Sequence, residues 1–159
     1  FGLFIRGLIG NISEFYGRAE YPVEITVDAD GIVFDIDTSI PCGLILNELV
    51  SNALKHAFAD GRTGSVCIRG FQENNRVTLE VRDDGMGLRE PAGLQESRAR
   101  LQESRAGLQE SMDLLQPKSL GLRIVHILTR QLRGSFETIC ETGFPGTTFR
   151  IVFPANGGS

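Results

Sequence analysis

The chain has 159 residues, 41% of them hydrophobic, and a formal net charge of −4, which is the composition of one ordinary soluble domain with a core of its own. The acidic balance argues against nucleic acid as the main partner, because neutralising phosphates needs clustered lysine and arginine. No apolar run approaches the roughly 20 residues of a membrane helix. We therefore expect a cytoplasmic domain without direct membrane contact.

The cysteines predict neither a disulfide framework nor a zinc site. The chain has three, Cys42, Cys67 and Cys140, and they are far apart and each lies in an apolar segment. An odd number with no close spacing is untypical of both kinds of site. Buried free thiols are the expectation.

The first part of the chain predicts a helix, a strand and a turn. Four apolar residues at helical spacing predict a helix over residues 3–16: Phe4, Leu8, Ile12 and Phe15. Apolar and polar residues alternate over 23–28, which predicts a half-buried strand. Asp30-Gly31 is a strong turn signal, so a return strand is expected over 32–36, completing a hairpin.

A longer helix follows, with one apolar and one polar face. Thr38 or Ser39 is expected to cap it, with Pro41 in its first turn. Core residues recur at helical spacing until a predicted end near Phe58: Leu46, Leu49, Val50, Ala53, Leu54 and Ala57. The other side carries Glu48, Asn52, Lys55 and His56, which lie three or four positions apart and share a face. By itself this stripe fits a solvated helix surface as well as a binding site.

The remaining elements indicate an α+β two-layer sandwich. Two strands are predicted over 65–73 and 76–83, joined at Asn74-Asn75. Ser119 can open a helix over about 120–132, and the last two strands are predicted over 135–141 and 147–153. The chain is thus divided into an N-terminal helix (1–19), a main domain (20–154) and a tail (155–159).

One segment does not fit a compact fold. Residues 93–113 contain nearly the same heptad three times, with Leu94, Leu101, Leu108 and Leu115 seven positions apart. Serine stands three positions after each of the first three leucines, so a coiled-coil seam would bury too little to dimerise strongly. A solvated mobile helix, a helix that contacts a partner and a disordered segment remain alternatives.

Three glycine-containing stretches could bind a nucleotide. Asp83-Asp84-Gly85-Met86-Gly87 follows a strand, where an aspartate can accept from an exocyclic amine and glycines allow close approach of a ligand. Ser119-Leu120-Gly121-Leu122 opens a helix, whose first N–H groups and dipole favour an anion. Gly146-Thr147-Thr148-Phe149 leads the last strand with two hydroxyls. Each stretch also has a plain structural explanation, as a strand exit, a helix cap or a strand edge.

Taken together, these stretches resemble the GHKL superfamily of ATP-binding domains, which includes histidine kinases and type II topoisomerases. Asn47–Ala57 looks like the N box, Asp83–Gly87 the G1 box, Ser119–Val125 the G2 box and Gly146–Phe149 the last glycine-containing box. The resemblance implies the Bergerat fold, a two-layer α/β sandwich with a mixed, mostly antiparallel sheet of about five strands packed on about three helices.

The closest resemblance is to sensor histidine kinases with the second type of dimerisation and phosphoacceptor domain. The phrase Ile36–Leu44 before the N box is typical of that subfamily. The resemblance covers about residues 20–154, apart from the heptad insert over 93–113. In this superfamily the segment between the G1 and G2 boxes is the ATP lid, so the insert would make an extended helical or mobile lid.

On the phosphate side, the resemblance implies a catalytic Glu48 near the γ-phosphate that helps to activate the acceptor imidazole as a base. Asn52 would bind Mg²⁺ through its side-chain oxygen, and Lys55 and His56 would lie against phosphate oxygens. The start of the following helix would offer its N–H groups to the phosphates: Leu120, Gly121 and Leu122.

On the purine side, the resemblance implies that Asp83 accepts from the adenine amine, with Thr148 supporting it through water. Gly85 and Gly87 would let the backbone pass under the nucleotide. The implied cofactors are therefore ATP and Mg²⁺.

The resemblance implies transfer of the ATP γ-phosphoryl group to a histidine on a dimerisation domain that this chain lacks. A response-regulator receiver domain would then take the phosphoryl group, and the full-length protein would be a homodimer. His56 and His126 lack the acidic neighbour and downstream proline of an acceptor histidine. His126 is instead expected to be a partly buried helix residue. The chain is therefore expected to bind ATP without phosphorylating itself, with residues 1–19 as a stub of the dimerisation hairpin.

Three other functions remain open from the sequence. An anti-sigma-factor-type serine kinase shares the same boxes, although the Ile36–Leu44 phrase favours the histidine kinase. A non-catalytic nucleotide sensor would bind ATP and report its presence to a partner. An interaction module would use the heptad segment as its functional part.

Overall fold

The computed structural model describes residues 1–16, 23–59, 61–87, 120–141 and 143–155. Within them a five-stranded sheet packs against three helices, which confirms the predicted α+β sandwich. The heptad insert over 93–113 and Ser119 lie outside the described residues. The elements, in chain order, are α1 (Gly2–Tyr16), β1 (Val23–Asp28), α2 (Ile36–Asn52) with a π-helical turn (Ala53–Ala57), β2 (Gly64–Glu73), β3 (Arg76–Asp83), α3 (Leu120–Gln131), β4 (Ser135–Ile139) and β5 (Thr148–Pro154).

The sheet has the strand order β1-β2-β3-β5-β4, and its pairs are antiparallel except for the parallel pair β1–β2. Burial alternates along β3 and, from Phe149 onward, along β5, because successive side chains point to opposite faces. The buried set on these two strands is Val77, Leu79, Val81, Phe149, Ile151 and Phe153, and it shares the core cluster with Ile45, Leu46, Leu49 and Val50 of α2. Each such side chain contributes about 1.5–3 kcal/mol when fully buried.

The predicted hairpin at Asp30-Gly31 is wrong. The turn exists, with Gly31 at a φ of 87°, but residues 32–35 form no strand and β1 pairs in parallel with β2 instead. Ile32 is buried in the core, and Phe34 packs on the ring of Phe153 with centroids 5.7 Å apart. Ile32 and Phe34 therefore belong to a connection between the sheet and the helical layer.

The predicted cap of α2 is also wrong. The side-chain oxygen Oδ1 of Asp35 accepts a hydrogen bond from the N–H of Thr38 at 2.8 Å, so Asp35 and not Thr38 or Ser39 is the N-cap. Hydrogen bonding by the Thr38 side chain, and next by this N–H, holds the pKa of the Asp35 carboxyl below its usual value. Because the helix begins earlier than predicted, Pro41 lies inside it and beyond its first turn.

The face of the sheet opposite the helices carries a row of alternating charges. The row has one residue on each of the five strands, and these residues pair with one another in register: Asp28, Arg69, Glu80, Arg150 and Glu137. Arg150 Nε lies 2.7 Å from Glu80 Oε1, and Arg69 Nε lies 3.9 Å from Asp28 Oδ2. Opposite charges across strands contribute roughly 0.2–1 kcal/mol per pair. This face, called the open face below, is solvated, so the helices and the core lie on the other side.

Local patterns elsewhere are confirmed. The turn between β2 and β3 has Asn74 and Asn75 at φ 49° and 59°, a conformation that asparagine tolerates. His126 is half-buried in α3, with its ring edge-on to Phe136 at 5.0 Å between centroids. In the described part of the chain, no helix is both long and apolar enough to span a bilayer.

The cysteines are all free, but only one is buried as expected. Burial raises the pKa of the Cys42 thiol to about 12, so this thiol stays protonated and unreactive. Cys67 is half-buried on the open face and Cys140 is exposed. The expectation of buried thiols is therefore confirmed for Cys42, met only in part by Cys67, and wrong for Cys140, because the chain leaves the sheet just after β4.

Candidate functional site

The polar face of α2 and the start of α3 converge. Glu48 and Asn52 lie four residues apart on one face of α2, and both are half-buried. Gly121 of α3 packs directly on them: a Cβ atom at Gly121 would lie 2.5 Å from Glu48 Oε2 and 3.7 Å from Asn52 Nδ2. The first N–H groups of a helix have no partner within it. A carboxylate, an amide and a helix N-terminus thus share one polar surface.

The other predicted residues of α2 lie further along. Lys55 and His56 belong to the π-helical turn Ala53–Ala57 and both are exposed. π-helical turns are rare and frequent at functional sites. The turn places these two basic side chains beyond Asn52 and closer to the loop that follows β3.

At the start of α3, Leu120 and Leu122 have different environments. Leu120 is 74% exposed, whereas Leu122 is half-buried and packs against the core. Anion binding would involve only their backbone N–H groups, which belong to the first turn of α3.

Asp83 is a buried carboxylate at the end of β3, with 3% exposure. Its own N–H donates to the carbonyl of Thr147 at 2.9 Å, and its Oδ1 accepts from the N–H of Gly85 at 3.1 Å. Burial raises the pKa of the Asp83 carboxyl, although the hydrogen bond from Gly85 acts in the opposite direction. A buried carboxylate with remaining acceptor capacity is suited to an amine donor.

In the described part of the chain, the side chain of the neighbouring Asp84 bonds to Ser65 and not to the loop that follows β3. Its Oδ1 accepts from the N–H of Ser65 at 2.7 Å, and its Oδ2 accepts from the hydroxyl of Ser65 at 2.8 Å. These charge-assisted bonds tie the exit of β3 to the start of β2. Of the two adjacent aspartates, only Asp83 is therefore available to a ligand on the helical side of the sheet.

Gly85 and Gly87 are required by close approaches within the protein. A Cβ atom at Gly85 would collide with the carbonyl of Ala57, and the N–H of Met86 donates to the same carbonyl at 2.9 Å. Gly87 has a φ of 70°, and a Cβ atom there would collide with the carbonyl of Pro145. The loop after β3 thus packs on the end of the α2 helical stretch and on the segment before β5.

The structure does not bring Thr148 together with Asp83. Thr148 stands opposite Arg82 in register, and Arg82 and Asp83 are successive residues of a strand, which face opposite sides. Thr147, 3% exposed, lies beside Asp83 instead. Counting back by twos from the buried Phe149 would have identified Thr147, so the missed signal was strand alternation.

Comparison with known proteins identifies the family. Residues 37–157 match the family described as histidine kinase-, DNA gyrase B- and HSP90-like ATPases. The chain belongs to this family. Its ATPase domain is similar to the blue-light-activated histidine kinase 2 of Erythrobacter litoralis, with 30% identity over 56% of this chain and 25% of that protein. It is also similar to the sensor histidine kinase PdtaS of Mycobacterium tuberculosis, with 35% identity over 48% of this chain and 15% of that protein.

Solved structures agree with this assignment. The histidine kinase domain of the EL346 blue-light-activated kinase of Erythrobacter litoralis superposes with a TM-score of 0.73 and 25% identity, covering 97% of this chain and 64% of that one. The catalytic domain of histidine kinase ThkA shares the fold, with a TM-score of 0.64, 19% identity and coverage of 98% and 93%. The matched regions are a quarter or less of the two kinases compared by sequence.

Proposed function

We propose that this histidine kinase-like ATPase domain is the catalytic domain of a two-component sensor histidine kinase of the second dimerisation-domain subfamily. It would transfer the γ-phosphoryl group of ATP to a histidine on a separate dimerisation domain. The observation that carries the proposal is the convergence of Glu48 and Asn52 with the start of α3 at Gly121. In the proposed setting the protein acts in the cytoplasm as a homodimer and passes the phosphoryl group to a receiver domain.

The residues fit a nucleotide with its purine and phosphates at opposite ends of the site. Asp83 would accept from the adenine amine, and we assign the supporting hydroxyl to Thr147 in place of Thr148, because Thr147 lies beside Asp83. The α3 N-terminus would bind phosphate oxygens, with Lys55 and His56 neutralising charge nearby. Binding would need no large rearrangement of α2 or β3, which already carry these groups.

Magnesium fits as an ion that arrives with the phosphates. Asn52 offers one oxygen ligand, and in the described residues no group of three or more His, Cys, Asp and Glu could hold a metal by itself. Mg²⁺ commonly takes one or two protein ligands and completes its octahedron with phosphates and water. The bound ion would neutralise phosphate charge, while Asn52 sets its position.

In this proposal, Glu48 would act on the acceptor histidine. Phosphoryl transfer depends chiefly on positioning and charge neutralisation. The Glu48 carboxylate lies at the start of α3, close to where the terminal phosphate would be held. From there it would hydrogen-bond the incoming imidazole and help to activate it as a nucleophile.

The decisive experiment supplies the acceptor in trans. The chain is incubated with [γ-³²P]ATP, Mg²⁺ and a phosphoacceptor domain of the second type. Acid-labile phosphohistidine on the added domain is the expected product. Acid-stable phosphoserine on a protein partner would favour the serine kinase, and tight ATP binding without any transfer would favour the nucleotide sensor.

Replacing Gly121 by alanine should impair turnover more than folding. The added Cβ would lie 2.5 Å from Glu48 Oε2, the end of a flexible side chain that can move away. We expect the melting temperature to change by only about 2–4 °C, the equivalent of roughly 1 kcal/mol, while phosphotransfer falls at least about tenfold because Glu48 is displaced. Melting curves and initial transfer rates measure the two effects. An unchanged rate would contradict the assigned role of Glu48.

Replacing Asp83 by asparagine should weaken the preference for ATP over GTP and change the pH dependence of stability. The raised pKa means that the folded state binds the proton more tightly than the unfolded state. Stability is therefore lost as the pH rises from the unfolded value near 4 through the folded pKa. Above that range we expect Asp83→Asn to gain stability relative to wild type, and below it the two should converge.

Melting curves from pH 3.5 to pH 8 and nucleotide titrations check this prediction. Asp84→Asn is the matched control, since it weakens the bonds to Ser65 on the other side of the same turn. That variant should lose stability at neutral pH and keep its nucleotide preference. Equal nucleotide selectivity in wild type and Asp83→Asn would refute the purine assignment.

A further inference from the structure

One short segment contacts both Asp83 and Gly87, two of the residues assigned to the purine end of the proposed site. The 144–147 segment, Phe144 to Thr147, precedes β5. Its Thr147 carbonyl accepts the N–H of Asp83 at 2.9 Å, and Gly146 lies so close that a Cβ atom would collide with the Asp83 carbonyl. Its Pro145 carbonyl packs on Gly87 in the same way. The position of this segment therefore sets the positions of Asp83 and Gly87.

The segment is held from the open face by Arg82. The guanidinium carbon of Arg82 lies 4.0 Å from the centroid of the Phe144 ring. Arg82 Nη2 also lies 3.4 Å from Glu141 Oε2, and the Phe144 N–H donates to the Glu141 carbonyl at 3.2 Å. Phe144 Cε1 in turn is 2.8 Å from where a Cβ of Gly146 would stand. A chain of contacts thus runs from Arg82 through the ring to Gly146.

Arg82 lies on the open face but outside its row of alternating charges. Its register partners are Cys67 and Thr148, whereas the row runs through Glu80 and Arg150, two positions along each strand. It also adjoins Asp83 in sequence but faces the opposite side of the sheet. The Arg82 side chain therefore points away from a nucleotide bound beside Asp83, and it reaches the 144–147 segment through Phe144 and through Glu141.

We propose that Arg82 is a positioning residue for the purine site, acting through its stack on Phe144 to hold the 144–147 segment against Asp83 and Gly87. The proposal rests on the proposed ATP-binding function. A cation–π contact at an exposed site is worth enough to change a local opening equilibrium about three- to fivefold. Segments held by a few such contacts open locally without global unfolding.

The test compares Arg82→Ala with Arg69→Ala. Arg69 lies on the same open face and has a partner in Asp28, so it controls for the loss of an exposed arginine from a strand. We expect Arg82→Ala to weaken ATP binding about three- to fivefold and to lower the preference for ATP over GTP. Its affinity for Mg²⁺-tripolyphosphate, which has no base, should stay at the wild-type value. Arg69→Ala should match wild type in all three titrations.

Hydrogen exchange gives a measurement that needs no nucleotide. The Asp83 amide, bonded to the Thr147 carbonyl, should exchange about three- to fivefold faster in Arg82→Ala and at the wild-type rate in Arg69→Ala. Phe144→Leu keeps an apolar side chain without the ring and should reproduce Arg82→Ala. The double variant should be no worse than Arg82→Ala alone, since both single substitutions remove the same stack of Arg82 on Phe144.

The outcomes separate this inference from the proposed function. If wild type binds no ATP, the proposed function fails, and the Asp83 exchange rate alone decides whether Arg82 holds the segment. Wild-type exchange in Arg82→Ala would overturn the proposal. An equal loss of ATP and tripolyphosphate affinity would also overturn it, because that pattern indicates general damage and not a change at the purine end.

Discussion

Asn52→Ala is expected to weaken Mg²⁺-dependent ATP binding roughly 10- to 100-fold. Asn52 is the last residue of α2 and lies with Glu48 under the start of α3. Removing one of the few protein groups that contact a charged ligand costs about 1.5–3 kcal/mol, which corresponds to one to two powers of ten in affinity. Calorimetry with ATP in Mg²⁺ and in EDTA measures the loss directly.

Asn47→Ala is the matched control for this variant. Asn47 is also a half-buried asparagine of α2, but residues five positions apart on an α-helix point about 140° apart. It should therefore keep the wild-type affinity and the wild-type Mg²⁺ dependence. Neither substitution removes a buried apolar side chain, so both melting temperatures should stay near that of wild type. Wild-type binding by Asn52→Ala would refute the assignment of the phosphate end.

Gly146→Ala is expected to damage the fold and the purine end together. The added methyl group would collide with the backbone carbonyl of Asp83, and the next nearest neighbour, the Asp83 carbonyl carbon, would be 2.6 Å away. Both are backbone atoms of Asp83 at the end of β3, which pairs with β5, so they cannot move without disturbing the pairing. Overpacking of this kind costs about 1–3 kcal/mol, and we expect the upper end of that range, roughly 6–12 °C in melting temperature.

Replacing Gly7 by alanine should have the opposite effect and raise the melting temperature. Gly7 lies in α1, where a Cβ atom would meet nothing within 4 Å, and alanine is favoured over glycine in a helix by about 1 kcal/mol. Thermal melts of both variants, with and without ATP, check the pair of predictions. A Gly146→Ala protein as stable as wild type and still responsive to ATP would show that the 144–147 segment can move freely.

The errors made from sequence lie where a local signal fits more than one structure. Residues 32–36 follow a strong turn signal and are mostly apolar, yet Ile32 is a core residue of a connection and Ile36 begins a helix. An apolar run of so few residues does not distinguish a strand from an extended connection. The resemblance implied Thr148 as the supporting hydroxyl, whereas the register of β3 with the residues before β5 puts Thr147 beside Asp83.

The amino-acid sequence alone determined the type and approximate bounds of most elements, because the helical and strand periods and the turn at Asn74-Asn75 are local signals. It also carried the motifs that indicated the ATPase family, since these are short stretches of contiguous residues. Only the tertiary structure decided that β1 pairs in parallel with β2, that Gly121 packs on Glu48, and that Arg82 stacks on Phe144. These contacts join residues distant along the chain, and no local period specifies which distant partner a residue meets.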